Sequence, residues 1–196
     1  GDEYILTGYR DRYPNIQLRI DFDKKKFDTI LSLVKTISEK TNKTIIIRPH
    51  PEENTMTYLN KLSDYKNIHV IYKGSVIPWL FAAEVMIHPD CTTGIESLLI
   101  GKKSISFLPK DYDSDLVTKL PLDASYKFTD QEELMSFLIN KTYLQEEALK
   151  GIKFVEEYFS FSQDSCQFIS DKISQLYNSN ISNTIILFNG IDNILS

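Results

Sequence analysis

Two short segments gather the side chains most able to do chemistry: Arg48-Pro49-His50-Pro51-Glu52-Glu53 and His88-Pro89-Asp90-Cys91-Thr92-Thr93-Gly94-Ile95-Glu96-Ser97. In the first, a proline on each side of His50 restricts the backbone and biases it to an extended form, which gives the imidazole a set direction. Arg48 offers a planar fork matched to phosphate or carboxylate. A structural use stands beside this one, with Arg48 paired to Glu52 or Glu53 and His50 closing a loop. The confinement of His50 between two prolines favours function. Arg48 and His50 are therefore the candidate catalytic residues.

In the second segment a strand ending at Ile87 leads through a tight polar loop into a helix that starts near Thr93 or Gly94. Unpaired N–H groups and the positive dipole end of a helix favour an anion at such a point. Thr92, Thr93 and Gly94 are small enough for a phosphate to approach the main chain, and His88 and Glu96 complete the candidate binding set. Thr93-x-x-Glu96 also fits a capping box, in which Glu96 only closes the helix start. Cys91 reads as a small packing or loop residue, because no activating partner stands near it beyond His88. A third segment, Tyr72 to Trp79, carries Gly74 and Ser75 between a strand and a helix, with Ser75 a natural N-cap. Main-chain groups there can hold the edge of a base against Trp79 or Ile77. A place for Trp79 in the core is the alternative.

These segments need a frame. Phe27, Ile30, Leu31, Val34 and Ile37 recur at helical spacing, and Thr41-Asn42-Lys43 ends that helix. Thr44 to Ile47 is a continuous apolar and β-branched run, the pattern of a strand buried on both faces. Helices at Met56–Leu62, Val76–Ala83 and Gly94–Ile100 then alternate with strands at Ile68–Tyr72, Val85–Ile87 and Ser104–Leu108. Such alternation predicts an α/β fold, a Rossmann-like parallel sheet with helices on both faces. All three chemical segments fall at the carboxyl ends of strands, where open parallel sheets bind ligands.

Beyond Pro109 the pattern changes to an acidic loop, an edge strand at Tyr126–Phe128 and a helix capped by Asp130. Further helices are expected over about Leu144–Phe159 and Asp164–Tyr177, and a short strand near Ile185–Phe188. The division is residues 1–140 as the Rossmann-like domain and 141–196 as a C-terminal helical extension packing on the same domain. Tyr4–Leu6 reads as a short strand, followed by a polar loop with Gly8, Arg10, Arg12 and Pro14. A start without Met so close to that strand suggests a partner domain upstream.

Net charge is −5, so no basic field points to nucleic acid. Two cysteines, Cys91 and Cys166, suit a reducing compartment better than a disulfide scaffold. No apolar run has the ~18–20 residues of a membrane span, and no signal peptide opens the chain. A cytoplasmic location follows as the expectation. Gly-x-Gly-x-x-Gly, the P-loop pattern and Gly-x-Ser-x-Gly are all missing. His50 and His88 lack metal-ligand spacings, so no metal is expected.

Taken in order, Ile47 to Glu52, Gly74 to Trp79, His88 to Ser97 and Gly101-Lys102-Lys103 resemble the surface carbohydrate biosynthesis protein family. That family is similar to glycosyltransferases of the GT-B fold, among them Kdo transferases, His-Pro sialyltransferases and CDP-glycerol polymerases of bacterial capsule and lipopolysaccharide synthesis. The resemblance spans residues 40 to 110, about a third of the chain. It implies one half of a GT-B enzyme, the C-terminal domain that binds the nucleotide-sugar donor. By resemblance, His50 would contact the donor phosphate and Thr92, Thr93 and Gly94 would cradle it. Gly74 and Ser75 would line the base or ribose pocket, and Glu96 would bind ribose hydroxyls.

The donor would be a substrate, and the resemblance points first to a CMP-linked acidic sugar, with whose carboxylate Arg10, Arg12 or Arg48 could pair. No further cofactor is expected. The implied partners are a glycan acceptor and an N-terminal acceptor-binding domain outside this chain. Any membrane association at the inner face of the cytoplasmic membrane would run through partners. Alone, the chain should bind donor and transfer poorly or not at all. Two other readings stay open: a sugar-nucleotide epimerase, and a non-catalytic module of a polysaccharide assembly complex that docks through its helical tail, Leu144 to Tyr177.

Overall fold

The computed structural model describes residues 15–51, 53–141, 157–158 and 164–178. The chain divides into two compact units, Gly1–Glu157 and Tyr158–Ser196. In the first, a long helix α1 (Ile16–Lys40) precedes β1 (Ile45–Ile47), α2 (Thr55–Leu62), β2 (Ile68–Val70), α3 (Ile77–Ala82) and β3 (Val85–His88). Next come α4 (Thr93–Leu99), β4 (Lys103–Phe107), α5 (Lys119–Asp123), β5 (Tyr126–Phe128) and α6 (Gln131–Ile139). The second unit contributes α7 (Ser165–Asn178), whose start is capped by Asp164 accepting from the amides of Cys166 and Gln167. The expected strands at Tyr4–Leu6 and Ile185–Phe188, the loop with Arg10 and Arg12, and all of the Leu144–Phe159 helix except helical Glu157 and Tyr158 lie outside the described residues.

The fold class is mixed α/β with short, parallel strands. They form two ladders: β1 pairs with β2, placing Ile45 opposite Ile68, and β3, β4 and β5 pair in that order. The expected β5 is indeed an edge strand, and Asp130 caps α6 by accepting from the Glu133 amide at 2.9 Å. One α/β surface is nevertheless continuous in packing. Ile45 of β1 touches both the cluster around Leu33, Ile105 and Leu134 and the cluster around Leu31, Tyr58 and Leu62. Helix α1 serves both clusters because Leu33 and Ile37 face one while Leu31 and Val34 face the other.

Three expectations need correction. The run Thr44–Ile47 does not form a strand buried on both faces: Ile46 is 37% exposed, since β1 has only β2 beside it and shows one side outward. Helix α1 begins at Ile16, well before Phe27; Ile16, Leu18, Ile20 and Phe22 fall on every second position and so do not show helical spacing. Of these, Phe22 packs under Leu108 and Leu122 and Ile20 is buried, which is enough to hold the extra turns. Helix α5, between the acidic loop and β5, was not among the expected elements. Pro121 sits in the first turn, where no intrahelical N–H is needed, and both it and Leu122 are buried. No described helix is long and apolar enough to cross a membrane.

Candidate functional site

Arg48 leaves the end of β1 and turns its fork onto the loop that follows β2. Nη1 donates to the Lys73 carbonyl at 3.2 Å and Nη2 to the Gly74 carbonyl at 2.6 Å. The guanidinium also lies 5.9 Å from the centre of the half-buried Trp79 ring. Glu53 is engaged elsewhere, its carboxylate oxygens taking the His50 amide and the Tyr58 hydroxyl. Gly74 sits at φ 78°, a left-handed conformation that a side chain would strain, so this turn is glycine's by backbone demand. Ser75 accepts from the Ile77 amide at 3.3 Å and so shapes the entry to α3 without being its first cap. Both Gly74 and Ser75 are exposed. Arg48→Lys keeps the charge but loses the fork, so urea unfolding should show a loss of about 1 kcal/mol. An unchanged midpoint would mean that the clasp contributes nothing to stability.

His50 is exposed, whereas the preceding Pro49 is buried, so the loop is anchored at one residue and open at the next. The His50 amide donates to Glu53 Oε2 at 2.6 Å, and the Glu53 amide returns a bond to the His50 carbonyl at 2.9 Å. Tyr58 of α2 donates its hydroxyl to Glu53 Oε1 at 2.8 Å. Burial first, and the Glu53 carboxylate second, push the Tyr58 phenol well above its ordinary range, so it stays a donor.

The loop after β3 is built around a buried histidine. His88 is 2% exposed, and its Nδ1 accepts from the Cys91 amide at 3.1 Å. The ring proton therefore resides on Nε2, which lies 2.9 Å from Ser104 Oγ and 3.0 Å from Ser125 Oγ. Ser125 in turn donates to the Pro121 carbonyl at 2.7 Å, so the chain of bonds ends on main chain and leaves no ring nitrogen unmet. Burial lowers the His88 pKa to about 4, against a small opposing pull from Asp90, so the ring is neutral near pH 7. Asp90 itself accepts from Lys26 of α1 at 3.0 Å and from the Thr118 amide at 3.1 Å. The Ser106 hydroxyl reaches the Pro89 carbonyl.

This geometry gives Gly94 a role other than leaving room for phosphate. A Cβ there would stand 2.3 Å from His88 Nε2, so the absent side chain leaves space for the imidazole. The Gly94 amide is also taken, by the Cys91 carbonyl at 3.0 Å. Thr93 accepts from the Cys91 thiol at 3.3 Å, Thr92 is exposed and Glu96 is half-buried. No capping box forms, because the cap position is Thr92 and no side chain bonds the helix start. Gly101, at φ 76°, ends α4, its amide bonding the Leu98 carbonyl at 2.8 Å.

The structure thus brings Arg48, Gly74 and Trp79 together at one strand end, and His88, Cys91 and Gly94 together at another. Sequence reasoning missed Lys26, Tyr58, Ser104, Ser125 and the Thr118 amide. Only Ser104 left a signal: with Ser106 it interrupts the buried apolar residues of β4, and a buried hydroxyl needs a partner. Among the described residues, no group of three or more His, Cys, Asp or Glu side chains is placed to hold a metal ion. Compared with known proteins, the chain matches no family model, no curated protein and no solved structure.

Proposed function

We propose that this chain is the donor-binding half of a glycosyltransferase that moves a sugar from a nucleotide-sugar, with CMP-linked donors the first class to try, to a surface glycan. One observation carries the reading: Arg48 clasps the loops after β1 and β2 together, beside exposed His50 and over Trp79, at the carboxyl ends of parallel strands. Open parallel sheets of Rossmann-like design bind phosphorylated ligands at such ends. In this reading His50 meets the donor phosphate, and Arg48 holds the loop while keeping N–H groups beyond the two it spends. Gly74 and Ser75 border the base or ribose, Thr92 and Thr93 border the phosphate, and Glu96 takes ribose hydroxyls. His88 and Gly94 support the loop from within. The leaving nucleoside phosphate gains charge as the glycosidic bond breaks, and preorganised donors stabilise that charge most in the transition state. The acceptor glycan and an acceptor-binding domain complete the enzyme, which would work in the cytoplasm at the membrane's inner face.

A second reading, a non-catalytic docking module, is favoured by the exposed Phe168, Ile169 and Ile173 on α7. Thermal unfolding with millimolar CMP, CDP, UDP or GDP separates the two. A nucleotide at ~100 times its dissociation constant adds about 2.7 kcal/mol of stability. The donor reading expects one nucleotide to stabilise the wild type and to leave His50→Ala unmoved. Four flat responses would sink it and leave the docking module.

A further inference from the structure

Exposed loops that bind anions work only if the loop is already held in the binding shape, because ordering it at the moment of binding costs affinity. His50 stands on such a loop, exposed directly after the buried Pro49. The fixing comes from three residues further on. Glu53 uses both carboxylate oxygens: Oε2 takes the His50 amide at 2.6 Å, and Oε1 takes the Tyr58 hydroxyl at 2.8 Å. Its own amide closes the turn on the His50 carbonyl at 2.9 Å. The next residue, Asn54, caps α2 by accepting from the Met56 amide at 3.0 Å, so Glu53 is tied to a fixed helix start.

Tyr58 is the rigid end of this chain. It is 7% exposed, packs edge to face on Phe27 at 5.0 Å between ring centres, and belongs to the core cluster with Leu31 and Leu62. Its hydroxyl has no such apolar use and is spent on Glu53. A buried core ring, a carboxylate with both oxygens committed and an exposed histidine's main chain thus form one line from core to surface.

We propose that Glu53, backed by Tyr58, is the positioning residue for His50, setting the loop so that the imidazole, and not the His50 amide, is presented to a ligand phosphate. The carboxylate occupies the His50 N–H, so that group cannot serve an anion, and a bare carboxylate facing the ligand would repel it. Capturing one oxygen with the N–H and the other with the phenol occupies both oxygens with donors while holding the turn. This inference rests on the donor-binding reading for its ligand, though its geometric half does not.

Two measurements on the full chain test it. The first is amide hydrogen exchange at His50 in the wild type, Glu53→Ala, Glu53→Gln and Tyr58→Phe. Glu53→Ala should speed exchange about tenfold, since the acceptor is gone. Glu53→Gln should stay near wild type, because its amide oxygen still accepts the His50 N–H and the Tyr58 oxygen can take its NH₂. Tyr58→Phe should fall between. The second is CMP and CDP binding by titration, in which Glu53→Ala should lose about tenfold in affinity, approaching His50→Ala, and Glu53→Gln should restore most of it.

Equal His50 exchange in the wild type and Glu53→Ala overturns the positioning role whatever binds. So does Glu53→Ala binding as the wild type does while His50→Ala fails. A wild type that binds neither nucleotide counts against the donor reading, and the exchange arm then decides the positioning of His50 alone. A general loss of folding is excluded by requiring the same exchange in the buried strand Lys103–Phe107 in every variant.

Discussion

Gly94→Ala is expected to destabilise the first unit by about 3 kcal/mol, the upper end of the usual cost of overpacking a core. Intrinsic propensity argues the other way: alanine in a helix interior is favoured over glycine by about 1 kcal/mol, and Gly94 lies within α4 with no positive φ to excuse it. The clash decides the sign. The new methyl would stand 2.3 Å from His88 Nε2 and 2.8 Å from both Cδ2 and Cε1. The ring cannot swing aside cheaply, being 2% exposed and bonded to the Cys91 amide and to two serines. Moving it strands the Cys91 amide and the ring's own Nε2–H, and each unmet buried polar group costs about 1–3 kcal/mol. A double-mutant cycle with His88→Ala isolates the cause. Removing the imidazole lowers stability on its own, but Gly94→Ala in that background should cost little, since the space it needs is empty. Urea unfolding of the four proteins measures this. If Gly94→Ala costs the same with and without His88, the explanation of this glycine is wrong.

Gly94 also shows where the sequence stopped being readable. A glycine at the start of a helix after a strand suggests anion binding as readily as close packing, and nothing local separates the two. The difference lies in His88, six residues earlier, and in Ser104 and Ser125, which are 16 and 37 residues from that histidine. Contacts at such separations are set by the pairing of β3 with β4 and β4 with β5, which no single stretch encodes. Elements with strong local signals were legible. Asp130 before α6, the β-branched run at β1 and the alternation through β4 all appear where the pattern placed them. Signals were weak where burial is sparse. The first half of α1 is held by Ile20, Phe22 and the Lys26–Asp90 pair, and Ile16, Leu18, Ile20 and Phe22, falling on every second position, do not declare a helix. Ile46 erred in the opposite sense: three isoleucines look like an interior strand, yet a two-stranded ladder leaves one of them at the surface. In the site, Arg48 and His50 were visible as residue types near a strand end. That Arg48 would spend its fork on carbonyls 25 and 26 residues away was not.

Between pH 7 and pH 5 the first unit should lose about 2 kcal/mol of stability on account of His88 alone. Burial holds this imidazole neutral in the folded chain down to about pH 4, whereas in the unfolded chain it takes up its proton near the ordinary 6.5. As pH falls through that interval the unfolded state binds a proton that the folded state refuses, so stability falls with pH. Above 6.5 neither state is charged and the stabilising difference is complete. Below about 4 both are charged and no further loss comes from this residue. The full interval is worth about 3 kcal/mol, of which the step to pH 5 captures about two thirds. Geometry makes the refusal more than a matter of dielectric. Protonation would place a hydrogen on Nδ1, facing the Cys91 N–H that now donates to it, so the loop from Pro89 to Thr93 would have to open to admit the charge. Asp90, whose charge pulls on the ring, is already engaged by Lys26 and the Thr118 amide. Urea midpoints of the wild type and His88→Gln at pH 7, 6 and 5 give the comparison. The variant should be less stable at pH 7 and lose less on acidification, so that the two curves converge. Parallel curves would show that His88 titrates alike in both states, and the buried neutral ring would have to be abandoned as the support of this loop.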